Sequence, residues 1–142
     1  MRVFLIFCFL FPLSLHAVGD TILISGNPAP MTISTATAGS QPNSVVDAST
    51  TYTVLTLAGS TTITGQLNIA MPSGTTLAVQ LQAPPLATSQ GSIVMTTTPA
   101  NLVTNIPALG LSPAFTVTYT FSATVSASPV SNQSVILTLT LI

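Results

Sequence analysis

From Phe115 to Ala127 apolar and polar residues alternate without a break. Phe115, Val117, Tyr119, Phe121, Ala123, Val125 and Ala127 fall on one parity, and threonines and serines fill the other. A period of two with a hydroxyl-rich outer face predicts a half-buried β-strand. Such a strand needs a sheet beside it and a second layer over its apolar face.

The rest of the chain offers partners of the same style. Thr21–Ser25 predicts a short strand ending at Gly26, and Asn27-Pro28-Ala29-Pro30 breaks it because proline has no N–H to give a ladder. Residues 31–35 are expected to resume the strand after that kink. Residues 36–49, small and polar with Gly39, Pro42 and Asn43, read as a loop. Residues 51–58 predict a strand whose parity slips between Val54 and Leu55, so it is either buried on both faces or bulged. Gly59-Ser60 suits a two-residue hairpin turn. Residues 61–71 place Ile63, Leu67, Ile69 and Met71 on one face. After Pro72-Ser73-Gly74, residues 75–83 turn Leu77, Val79 and Leu81 inward. These three strands are expected to form a meander.

Pro84-Pro85 ends that unit, and residues 87–91 read as a loop. Residues 92–98 predict a strand. Residues 100–106 fit a helical turn or a short strand and are read as a short crossover element. Residues 107–113 form a loop around Gly110. The long strand follows, then a turn at 128–133. The last strand spans 134–142, with Val135, Leu137, Leu139 and Leu141 on one side. About seven or eight antiparallel strands with turn signals every roughly ten residues predict an all-β, immunoglobulin-like β-sandwich.

Composition changes this picture in one direction. Of 142 residues only 2% are charged, against about a quarter in ordinary domains. The charged residues are Arg2, Asp20 and Asp47, the one histidine is His16 and the one cysteine is Cys8. Arg2 precedes the apolar run VFLIFCFLFPLSL, which ends near Ala17. That order predicts a secretory signal peptide over residues 1–17 and a single domain over 18–142. The run is short for a membrane span, and Cys8 lies inside it rather than beside a cleavage bond. Residues 18–142 then hold no Lys, Arg, His, Cys, Glu or Trp. No disulfide can form within them, although an exported domain could carry one. Stability has to come from packing and main-chain hydrogen bonds.

This inventory argues against catalysis. Hydroxyls abound, but no His or Lys stands ready to activate one. Paired carboxylates for glycoside hydrolysis must stand about 5–10 Å apart, which is not expected of Asp20 at the start of the domain and Asp47 in a loop. Asp47 reads as a turn cap in Asp-Ala-Ser-Thr rather than a weak calcium ligand. Without a cation there is no basic patch for nucleic acid. The expectation is no enzyme, no catalytic, cofactor-binding or metal-binding residue, no cofactor and no nucleic-acid partner. Tyr52 and Tyr119 read as core residues rather than glycan platforms, and Phe121 shares the face of Tyr119. Asn132-Gln133-Ser134 matches a glycosylation sequon, which matters only in a eukaryotic secretory pathway.

The missing charge is the informative feature. Sheet proteins usually blunt their edges with lysine, proline or inward charges. Segments 61–71 and 134–142 are β-prone, uncharged and free of proline. Either prolines and loops cover these edges, or the edges pair with another subunit. Residues 20–31 are a candidate donor strand for such pairing. A signal peptide, a strand running into Gly26-Asn27-Pro28-Ala29-Pro30, a Thr/Ser/Ala-rich sandwich and an alternating last strand together resemble small exported bacterial surface subunits of the pilin or fimbrial type. The disulfide of many such subunits is absent. The resemblance implies a non-catalytic structural or adhesive role at the periplasm, cell surface or beyond, with copies of itself or other surface subunits as partners and membrane contact only through export. The alternatives are a monomeric secreted module that recognises a glycan or protein, and an eight-stranded outer-membrane barrel. A barrel fits the alternation but not the crowded prolines and missing aromatic girdles.

Overall fold

A computed structural model of the chain describes residues 19–57, 59–129 and 133–142. The signal peptide expected over 1–17, with Arg2, Cys8 and His16, lies outside them, as does Asn132 of the sequon. Among the described residues there are ten strands and no helix. The strands are β1 (Thr21–Ser25), β2 (Val45–Thr56), β3 (Thr61–Leu67), β4 (Thr75–Leu81), β5 (Thr88–Ser89), β6 (Ile93–Val94), β7 (Ala100–Ile106), β8 (Gly110–Leu111), β9 (Phe115–Ala123) and β10 (Leu137–Leu141).

They form two antiparallel sheets. One runs β1-β2-β9-β4-β6, with β8 extending the far end of β2, and the other runs β10-β3-β7-β5. Their inner faces enclose one core. Tyr52, Val54, Val79, Leu81, Phe115, Val117 and Tyr119 come from the first sheet, and Ile63, Leu67, Leu102, Val103 and Ile106 from the second. The alternation at 115–121 holds as read, with Phe115, Val117 and Tyr119 buried and Phe121 half-buried. β9 stops at Ala123, however, and Val125 is exposed.

The expected meander does not form. β2, β3 and β4 alternate between sheets, so Gly59-Ser60 and Pro72-Ser73-Gly74 carry the chain across the core. Gly59-Ser60 is therefore no hairpin turn. Turn chemistry sets how tightly a chain reverses, not which layer the next strand joins. At Gly74 the reversal needs glycine: φ is 78°, and a Cβ there would stand 2.8 Å from Ala127 Cα.

β2 begins at Val45, inside the stretch read as a loop, because its first half pairs with β9. Its parity does not slip at Val54. Thr50, Tyr52, Val54 and Thr56 all face inward, and the irregularity lies earlier, between Asp47 and Thr50. Residues 31–35 form no strand, and β3 ends at Leu67, leaving Ile69 exposed. Residues 100–106, read as a crossover element, are an interior strand of the second sheet. Two register shifts against β3 push both Leu102 and Val103 into the core. Those extra residues erase the period of two that marks a strand. Thr88–Ser89, in a stretch read as loop, pairs with β7.

Residues 92–98 switch sheets instead of forming one strand. Ile93 and Val94 pair with β4, the Met95 N–H donates to Leu77 O, and Thr96 O then accepts from Leu67 N on the other sheet. Met95, only 2% exposed, plugs the seam.

Candidate functional site

The two longest sheet edges belong to β1 and β10, and these strands approach one another on the same side of the sandwich. The edges opposite, β5 and β6, are two residues long each, which is how many sheets limit unwanted pairing. Neither β1 nor β10 carries a charge. Their inward residues are only partly covered. Ile22, Leu137, Leu139 and Leu141 are half-buried, and Ile24 is 41% exposed although its partner Tyr52 is fully buried. A row of apolar side chains thus lines the open mouth between the sheets.

The outer ends of both strands converge on the β2–β3 connection. Asp20 Oδ1 accepts from the Leu57 N–H at 2.9 Å, and Oδ2 accepts from Thr61 Oγ1 at 3.3 Å. One residue on, Thr62 exchanges both main-chain hydrogen bonds with Ile142, at 2.7 and 2.9 Å. The side chain of Asp20 thus fixes the start of β1, while the end of β10 is held by these main-chain bonds and by the Thr64 hydroxyl, which donates to Thr140 O at 3.4 Å.

Asp47 acts as the turn cap that its neighbours suggest. Oδ1 accepts from Ser49 N–H at 3.0 Å and from Ser49 Oγ at 2.7 Å. Oδ2 accepts from the Ala29 N–H at 3.4 Å, so the carboxylate also holds the segment after β1. The Ser49 main-chain N–H, then its hydroxyl, hold the Asp47 carboxyl below the usual carboxylate range. Asp47 and the Leu57 that binds Asp20 stand at opposite ends of one strand, roughly 30 Å apart at about 3.3 Å per residue. The structure does not bring the two carboxylates together.

Tyr52 and Tyr119 are both in the core, 0% and 7% exposed. Tyr52 stacks obliquely on Phe115 at 5.7 Å, and its hydroxyl donates to Gln82 O at 2.6 Å. Burial pushes both phenols up from their ordinary range. The buried Thr50 hydroxyl beside Tyr119 opposes part of that rise.

The two loops that flank the sandwich differ. Residues 107–113 are pinned along β2: Thr56 Oγ1 donates to Pro107 O at 2.6 Å, and Ser112 Oγ accepts from Val54 N at 2.8 Å. The buried Thr56 and Ser112 are structural residues that the sequence reading passed over, since in a chain this rich in hydroxyls nothing marks the buried ones. Residues 35–43 form a small hairpin tied by Asn43 N to Thr35 O and docked through Gln41 Oε1, which accepts from Val125 N. Beside it lies an open groove of about 480 Å³ bordered by Gln41, Ser44, Thr75, Thr76, Ser122 and Thr124.

Among the described residues no three His, Cys, Asp or Glu side chains cluster as metal ligands, and no helix is long and apolar enough to cross a membrane. Comparison with protein families, curated proteins and solved structures found no match.

Proposed function

We propose that this chain is a non-catalytic, exported structural or adhesive subunit that assembles by β-strand addition. We read its sandwich as immunoglobulin-like. The observation that carries the reading is the open side built from β1 and β10: two uncharged terminal strands, adjacent, with half-exposed apolar residues between them. A sheet edge of this kind is a template for another strand. The pairing of both carboxylates with main-chain and hydroxyl donors also supports a role without acid–base chemistry.

A second reading has its own observation. The groove beside the 35–43 hairpin carries hydroxyls and one amide among apolar surface, groups that a glycan or a peptide can engage. Residues 18–142, exported into a periplasm, separate the readings by light scattering and negative-stain microscopy. Filaments or SDS-resistant ladders are expected. A clean monomer overturns the subunit reading in favour of the binding module, and dependence on detergent would point to a barrel.

A further inference from the structure

We infer that the strand exchanged between subunits is β1, seated on the β2 of a second copy in the register it holds at home, while β10 stays in its own chain. This inference rests on the strand-addition reading above and names its donor, acceptor and register.

The identity of the occupant comes from the structure itself. The edge of β2 from Thr51 to Leu55 already holds β1, with Thr21 opposite Leu55, Leu23 opposite Thr53 and Ser25 opposite Thr51. A second copy supplies the same five residues, so exchange in trans remakes every contact broken in cis. A copy whose β1 has left presents an empty β2 edge to the next copy. Passed on from copy to copy in this way, the exchange builds an open head-to-tail chain.

Three features single out β1. First, it is thinly anchored: of its side chains only Ile22 packs on the core, and Leu23 and Ile24 are exposed. β10 packs Leu137, Leu139 and Leu141 on the core, and Leu139 comes within 3.3 Å of the space a Cβ on Gly65 would occupy. Second, β1 has a long leash. Residues 26–44 separate it from β2, and residues 26–31 form no strand; the points that hold them at home, Ala29 on Asp47 and Met31 against the core, are offered again by a second copy. Prolines 28 and 30 keep Asn27 and Ala29 extended, which favours reaching outward over folding back. Third, β1 carries a key for its register. Asp20 captures the Leu57 N–H and the Thr61 hydroxyl only when Thr21 lies opposite Leu55, because a shift by one residue moves the carboxylate away and turns Ile22 outward.

The test uses cross-linking in the full chain. Leu23→Cys and Thr53→Cys face outward on opposite strands, as do Thr138→Cys and Gln66→Cys on β10 and β3. Each variant is exported and treated with a short bis-maleimide, with the parent chain as the control for Cys8. Co-expressed L23C and T53C chains are expected to yield a mixed cross-linked dimer, and the L23C/T53C double variant a ladder. The T138C/Q66C double variant is expected to close within single chains. If fibres form but the L23C/T53C variant closes only within single chains, the inference fails and the subunit reading stands. A T138C/Q66C ladder would make β10 the exchanged strand and equally overturn it. If scattering finds monomers throughout, the subunit reading fails and takes the inference with it.

Discussion

β1 and β10 make the same number of main-chain pairs, five each, and both close a sheet on the same side of the molecule. They differ in where their side chains go. β10 follows leucine-threonine alternation, so each inward position brings a large apolar group to the core. β1 spends one of its three large apolar residues, Leu23, on the outer face and leaves Ile24 at the open mouth. Hydrogen bonds between strands, each adding about 0.5–1.5 kcal/mol net because water offers the same partners to a separated strand, are matched here and do not tell the two apart. Side-chain burial decides how firmly a strand is held, at about 25 cal/mol per Å² of apolar surface removed from water. Two strands alike on a pairing diagram can therefore be an integral part of the core and a detachable flap.

The sharpest way to break this comparison is truncation of one side chain on each strand. Leu139→Ala should cost about 2 kcal/mol in chemical denaturation, toward the low end for leucine truncation because the site is half-buried. Leu23→Ala should stay within about 0.5 kcal/mol, as for surface positions generally. Equal losses would show that β1 is held as firmly as β10. Next in size, Gly65→Ala tests the floor beneath β10. Its new methyl would meet Leu102 Cδ1 at 2.7 Å and both Met95 Sδ and Leu139 Cδ2 at 3.3 Å. The flexible side chains can yield partly, so a loss of about 1–2 kcal/mol is expected. The same change at Gly59, with open space around it, should be silent by the same measurement.

Asp20→Ala addresses the key of β1 directly. It removes the acceptor for Leu57 N–H and should raise amide exchange across residues 21–25 while the amides of β9 stay protected. Uniform loosening of both regions would mean that β1 and the core unfold as one unit. The smallest effect belongs to acid. Asp47 is held below its usual value of 3.8 in the folded chain, so its contribution is complete above that value. It disappears as pH falls through the lower folded value. Between pH 5 and about 2 the urea midpoint should fall slightly more for the parent than for Asp47→Asn. Matching slopes would remove Asp47 as a tether of the segment behind β1.

The strands legible in the sequence were those whose inward residues keep step. Thr21–Ser25 matches as read, and the inward set of β4 and the buried start of β9 follow their alternation. β7 was hidden because its two register shifts set Leu102 beside Val103 on the same side. The start of β2 was hidden for another reason: Asp47 and Ser49 form a local cap within a strand, and a cap looks like a turn. Layer assignment was out of reach, since the residues at 59–60 and 72–74 dictate a reversal but not a destination. Residues 20–31 stood out as terminal, short and followed by a flexible loop. That β10 would lie beside β1, and that Asp20 would bind across to Leu57, depends on contacts between residues far apart in the chain.

The convergence of Asp20 and Ile142 on the β2–β3 connection has a mechanical consequence. Tension applied between those two ends would load β1 and β10 at their outermost pairs. Each strand would then open like a zipper, one pair at a time, and would not resist as a sheared ladder does. A single folded copy held this way should yield at low force, with β1 and its one anchored isoleucine opening first.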